Sequence, residues 1–411
     1  MTTATAPVSP PRAFNPALEG MRGMAALGVL LTHVAFQTGA SGIAVLGPIL
    51  ERFDMAVAVF FALSGYLLWR PHAAVARGLG AAPSTARYLL HRLMRIVPAY
   101  WAVVAFVLVL LPGAAQSANL RVWVSNLFLL QVFVPLTLTE GLTQMWSLSV
   151  EVAFYLVLPL LAVAIVRLRG TAARLRVPVI CALMAVTLTW NLWPVPTPDG
   201  IHADNWLPGY LPWFAAGMLL AELIYQVRPG TWWHRPFASQ PLMWAIALAA
   251  FLLSATEFGG PAGLERAQPW QYAMKMLLGT IIGFGLLAPL VLRPGNAAPH
   301  RWLESPTAAT LGRWSYGIFL WHLVVLTMVF PVFGLLPFNG NFLYVLGLTT
   351  ALTLPLAAAS FALIEDPARR LARRWDQAAT AKAAARRQAA SSPPPREPAD
   401  PGGAALPPTT R

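Results

Sequence analysis

Apolar residues run along this chain in long, nearly unbroken stretches. Ten stand out, over about residues 22–39, 54–70, 97–112, 146–166, 177–194, 206–226, 241–256, 272–292, 312–333 and 342–364. Each is close to the length, about 17–25 residues, with which a helix crosses a hydrocarbon core roughly 30 Å thick. A soluble multidomain chain would show short amphipathic segments instead. The pattern predicts an all-α polytopic membrane protein of about ten transmembrane helices.

One further apolar stretch, 122–138 (VWVSNLFLLQVFVPLTL), is interrupted by Ser125, Asn126, Gln131 and Pro135. Charge decides how it is read. Arg70, Arg77, Arg87, Arg92 and Arg95 follow the second span, and further Arg clusters follow the fourth (Arg167, Arg169, Arg174, Arg176), sixth, eighth and tenth. The intervening loops are neutral or acidic. Positive charge gathers on the cytoplasmic side of membrane proteins, so the even-numbered loops and both termini are predicted inside. A crossing at 122–138 would put every later Arg cluster on the wrong face. That stretch is therefore expected to be re-entrant or interfacial, tolerated where protein or a cavity covers its backbone.

Composition sharpens this picture. Of 411 residues, 57% are hydrophobic and 11% charged, with a net charge of +13. Soluble domains carry about 25% charged residues. The positive charge is topological, and no nucleic-acid module accompanies it. Cys181 is the only cysteine, which excludes an intrachain disulfide and a cysteine-based metal cluster. Residues 1–13 and the Ala/Arg/Pro-rich tail 376–411 are expected to be disordered. They flank one membrane domain over 14–375.

Titratable groups at membrane depth are costly and mark sites or pathways. Arg22 and His33 are eleven residues apart, within about 20° of three helical turns, so they share a face roughly 16 Å apart along the axis. Arg22 then lies at the cytoplasmic surface and His33 near mid-bilayer. In Phe60-Phe61-Ala62-Leu63-Ser64-Gly65, small residues also suit close helix packing. After Trp146, Ser147, Glu151 and Tyr155 follow at i, i+4 and i+8 on one face. Glu151 calls for a polar partner, in a structural or a catalytic role. Ser315, beside Tyr316, shares a face with His322, which lies roughly 13 Å in from Arg313, near the depth of His33. Two imidazoles at one depth suggest a polar cavity. As a metal pair they lack a third ligand at suitable spacing. No nucleophile elbow surrounds Ser64, and there is no P-loop or dinucleotide fingerprint.

Taken in order, PALEGMRGMAALGVLLTH, FFALSGYLLWRP, HRLMRIVPAYW, MWSLSVEVAFYLVLPLL, WFAAGMLLAE, LGRWSYGIFLWH and FALIEDPARR resemble the acyltransferase-3 family of bacterial membrane O-acyltransferases. Arg22 and His33 match its Arg/Lys-x10-His motif, Phe60, Phe61, Ser64 and Gly65 its FFxxSG motif, and Arg92 and Arg95 its RxxR motif. Ala58 stands where many relatives carry Asp, so an essential role for that Asp is not carried over to this chain. Some relatives add an esterase-like domain after the last span; without one, the membrane domain completes the transfer or passes it to a partner.

The resemblance implies a cytoplasmic acyl-CoA donor, no tightly bound cofactor, and a carbohydrate-containing acceptor hydroxyl at the bacterial inner membrane. His33, Glu151 and His322 are the candidate catalytic residues. Arg22, Ser64, Arg92, Arg95, Trp146, Ser147, Ser315 and Tyr316 are the candidate substrate-binding residues. The rival reading is a proton-coupled transporter with His33, Glu151 and His322 as its relay. Transporters often carry inverted repeats and paired broken helices, and neither is evident.

Overall fold

The computed structural model describes residues 15–391 except 82–83, 227–230, 233, 262, 264 and 294–299. Those residues hold helices, turns and loops and no strand. The twelve helices of eight or more residues are α1 (Pro16–Gln37), α2 (Ala56–Val75), α3 (Thr85–Leu110), α4 (Leu120–Leu127), α5 (Trp146–Val166), α6 (Arg176–Leu188), α7 (Leu207–Gln226), α8 (Gln240–Ser254), α9 (Pro269–Val291), α10 (Pro306–Val332), α11 (Phe342–Ser360) and α12 (Asp366–Ser391).

Helix starts are written locally. Asn15 accepts from the Ala17 amide at 3.1 Å ahead of Pro16, and Ser305 accepts from the Ala308 amide at 3.2 Å ahead of Pro306. A polar cap before a first-turn proline satisfies amides the helix leaves unpaired.

A helix occupies each of the ten apolar stretches, and seven helical segments are long and apolar enough to cross a membrane. Among those below that mark are α1 and α2, and the reason is instructive. They carry Arg22, His33, Ser64 and His72, polar groups that lower their apolar content, and they sit at the centre of the bundle. There α1 packs along α10 and α2 along α7, with α9 against both α2 and α7. The shorter apolar helix α8 lies against α9, and α11 against α10.

The stretch 122–138 does not form one continuous helix. Eight residues, α4, are followed by turns in which Leu129 and Leu136 take positive φ. Its interrupting polar residues hold the turns together. The Asn126 side chain donates to Val122 O at 2.9 Å and Thr137 O at 2.8 Å, and Gln131 donates to Met145 O at 3.1 Å.

At the C-terminal end a π-helical turn, Phe361–Glu365, links α11 to α12. Because α12 continues to Ser391, residues 376–391 are helical where disorder is expected. Alanine, the best helix former, dominates there. Asp376 also pairs with Arg87 and lies 3.7 Å from His91. Residues 1–13 and 392–411 lie outside the described residues.

Glycines allow the two central pairs to close. A Cβ at Gly312 would stand 2.1 Å from Glu19 O, and one at Gly217 would stand 1.9 Å from Ala62 O. Gly217→Ala is expected to cost about 1–3 kcal/mol through overpacking and to lower the melting temperature in detergent. An unchanged melting curve would mean that α2 and α7 do not approach this closely.

Candidate active site

Five helices, α1, α2, α3, α5 and α10, converge on a narrow cavity of about 60 Å3, room for a few water molecules. Arg22 reaches it from α1, Ser64 from α2, Arg92 and Arg95 from α3, Ser147 and Glu151 from α5, and Ser315 and Tyr316 from α10. Eight of the eleven candidate site residues thus line one cavity.

Glu151 is its organising group. One carboxylate oxygen accepts from the Ser64 hydroxyl at 2.6 Å and from the Tyr155 hydroxyl at 2.5 Å. The Tyr155 contact is a single helical turn, i to i+4, whereas the Ser64 contact ties α5 to α2. The polar partner that Glu151 needs is therefore the FFxxSG serine. Gly65 next to it lets α7 close in, since a Cβ there would lie 2.0 Å from Phe214 O.

Cations surround this carboxylate. The Arg92 guanidinium lies 6.0 Å from the Tyr155 ring centroid, and its Nε is buried with no hydrogen-bond partner. Arg22 lies 3.8 Å from Glu19. Arg22 and Arg95 also face a residue the sequence reading missed, Glu365 of the π-helical turn. Glu365 is 1% exposed, pairs with Arg369 at 3.7 Å, and has both carboxylate oxygens without a hydrogen-bond donor. Its signal was present: an acidic residue ending an apolar run inside FALIEDPARR.

The remaining hydroxyls are committed to backbone. Ser147 donates to Gln144 O at 3.1 Å, Ser315 to Gly312 O at 2.8 Å and Tyr316 to Ile96 O at 2.9 Å. Trp146 stands away from the cavity, with its ring 4.9 Å from that of Tyr210.

The two imidazoles form a pair of their own. His33 Nδ1 lies 2.7 Å from Val29 O, His322 Nδ1 lies 3.0 Å from Ile318 O, and His322 Nε2 lies 3.3 Å from His33 Nδ1. A carbonyl oxygen only accepts, so each Nδ1 carries the proton. The His33 Nδ1–H is then shared between Val29 O and the lone pair of His322 Nε2. The second nitrogen of His33 is left as a free base. His322 is fully buried, and His33 is half-buried.

The narrow cavity that the arginines line is not shared with the imidazoles. Phe319 lines it and packs on His322 at 6.1 Å, with Phe60 at 6.5 Å from Phe319. A layer of aromatic rings divides the constellation into an acid–arginine half and an imidazole half. Phe60 turns toward α10 to do so, while its neighbour Phe61 stacks on Phe214 of α7 at 4.3 Å.

A family model described as an acyltransferase domain matches residues 15–360, which hold every candidate residue named from the sequence. The chain belongs to the acyltransferase-3 family. Acyltransferase MdmB of Streptomyces mycarofaciens is 28% identical over 405 residues, covering 90% of this chain and 96% of the relative. The peptidoglycan O-acetyltransferase OatA of Listeria monocytogenes is 22% identical over 392 residues, 87% of this chain and 56% of the relative. The putative peptidoglycan O-acetyltransferase YrhL of Bacillus subtilis is 24% identical, over 87% of this chain and 55% of its own length. No solved structure matches.

Membership of the acyltransferase-3 family makes the protein an O-acyltransferase and decides against the transporter. Together with the seven membrane-length apolar helices, it makes the chain a multi-pass membrane protein. Glu365 and Arg369 lie just beyond the matched residues.

Proposed function

We propose that the protein transfers an acyl group from cytoplasmic acyl-CoA to a hydroxyl of a carbohydrate-containing acceptor, in the inner membrane of a bacterium. In this reading the chain spans the membrane ten times with both termini in the cytoplasm, and residues 122–138 are re-entrant. The Arg clusters that follow alternate spans support that topology. Peptidoglycan, a cell-envelope glycan, a glycolipid and a macrolide-like metabolite are the acceptor classes that fit.

One observation carries the chemistry: the backbone and His322 together leave His33 Nε2 as an unprotonated base. His33 Nε2 takes the acceptor's hydroxyl proton as that oxygen bonds to the thioester carbonyl carbon. The tetrahedral intermediate collapses, the carbon–sulfur bond breaks, and the coenzyme A thiolate leaves with the proton from the imidazolium. His33 returns to its starting state. As the imidazolium forms, its Nδ1–H becomes a stronger donor to His322 Nε2, so the second ring holds the first in place. Arg22, Arg92 and Arg95 grip the donor's phosphates, for which a guanidinium's planar fork is well shaped. Phe60 and Phe319 must turn aside to let the thioester reach His33, a side-chain movement rather than a change of fold.

Acyl transfer from labelled acyl-CoA by purified protein in detergent tests the donor. Mass spectrometry of envelope glycans and secreted products from a deletion strain tests the acceptor. Arg92→Ala and Arg95→Ala are each expected to raise the KM for acyl-CoA about tenfold, the loss of one charge-assisted contact. A KM unmoved in both would remove them from the donor site.

A further inference from the structure

A second, wider groove of about 630 Å3 opens between the last turns of α2 and α5 and the first turns of α3. It differs from the narrow cavity in size, lining and exposure, but one helix, α3, contributes to both linings. Thr85 and Tyr88 line the groove, and Arg92 and Arg95 line the cavity. These positions recur at spacings of three and four, so they form one helix face running from one space into the other. Tyr155 stands at the junction. Its carbonyl accepts from the Tyr88 hydroxyl at 3.3 Å, and its ring lies under the Arg92 guanidinium.

Size separates the roles. Small-molecule sites usually enclose about 300–1,000 Å3. The cavity of about 60 Å3 is too small for a nucleotide. The groove has the volume for one. Its lining has the matching chemistry. Arg167 and Arg169 form no ion pair among the described residues and are available to phosphate. The Tyr88 ring, with Val163 and Val166, offers an aromatic and apolar wall to a base.

We propose that this groove binds the adenosine 3′,5′-bisphosphate end of the acyl donor, with Arg167 and Arg169 on its phosphates. The remaining phosphate, which bears the pantetheine arm, then meets the arginines of the narrow cavity, and the arm continues inward past them. This rests on the acyl-CoA reading of the preceding section. An anionic lipid headgroup shares the phosphate chemistry, but a donor substrate also accounts for the helix face that leads from the groove's lining to the arginines of the cavity.

The test uses full-length protein in non-ionic detergent and two donors, acyl-CoA and acyl-pantetheine, which lacks the nucleotide. In the wild type, acyl-CoA should show the lower KM, and free adenosine 3′,5′-bisphosphate should compete with it. In Arg167→Gln/Arg169→Gln, and separately in Thr85→Trp, which fills the groove without removing charge, the ratio of the two KM values should fall about tenfold. Competition by the bisphosphate should weaken by a similar factor. A ratio unmoved in both variants, or a wild type that the bisphosphate does not inhibit, overturns the proposal. So does a wild type whose acyl-CoA KM follows the phosphatidylglycerol content of nanodiscs while ignoring the bisphosphate, which would identify a lipid site. Wild-type protein that transfers from neither donor would instead remove the acyl-CoA reading itself.

Discussion

His33→Ala is expected to abolish acyl transfer while leaving insertion, expression and elution as a single species unchanged. General base catalysis is typically worth about 10²–10⁴-fold in rate, and no second base is in place to replace it. His322 Nε2 faces His33 at 3.3 Å rather than open space, and Glu151 lies beyond the Phe60–Phe319 layer with one oxygen already accepting two hydroxyls. His33 is half-buried, so a small substitute leaves no large dry cavity, and the fold should tolerate it. His322 acts through His33, which predicts a different signature. Removing it costs one hydrogen bond to a ring that becomes charged, about 1.5–3 kcal/mol, or roughly 10–100-fold in kcat with KM little changed. His322→Gln, whose side-chain oxygen accepts from His33 Nδ1–H, should recover part of that loss where His322→Ala does not. Steady-state kinetics on the three purified variants decide the matter. Full activity in His33→Ala would refute its role as base. Equal kinetics for His322→Ala and His322→Gln would refute the buttressing role.

What could be read from the sequence divides along a physical line. Long apolar stretches declare themselves because a helix in lipid needs nothing beyond its own backbone hydrogen bonds and apolar side chains. Each such stretch is helical in the structure. That His33 and His322 stand at matching heights was legible for the same reason, since rise per residue along a helix is fixed, and their ring centroids lie 5.0 Å apart. Which side chains meet across helices was not. Ser64 and Glu151 are separated by 87 residues, and their contact depends on α2 and α5 packing at one particular rotation. The aromatic layer that splits the site depends on Phe60 turning to α10 while Phe61 turns to α7, a choice no periodicity encodes. Glu365 escaped because it sits in a π-helical turn, where the extra residue shifts the face that a regular helix would present. The helical part of the tail escaped because its composition resembles disorder. Alanine propensity and the pairing of Asp376 with Arg87 order it instead.

Glu151 provides the second large effect, and the two simplest substitutions there should part company. Glu151→Ala removes the carboxylate oxygen that accepts from both the Ser64 and Tyr155 side-chain hydroxyls. Each hydroxyl left without an acceptor costs about 1–3 kcal/mol, against a total stability of about 5–15 kcal/mol for a typical domain. It also removes a negative charge from beside Arg22 and Arg92, each of which already faces the positive charge of Arg95. Loss of transfer is expected together with a clear fall in melting temperature and a broadened elution profile. Glu151→Gln keeps the shape and one acceptor oxygen, so both hydroxyls stay satisfied and only the charge is lost. Its kcat is expected to remain within about tenfold of wild type, since a group that positions rather than reacts contributes through geometry. That comparison distinguishes the two roles the sequence leaves open for this residue. A glutamine variant as stable as wild type yet as inactive as the alanine variant would show that the carboxylate takes part in the chemistry itself. The acid–arginine half of the site would then have to reach the imidazole half during turnover, across the ring layer that now divides them.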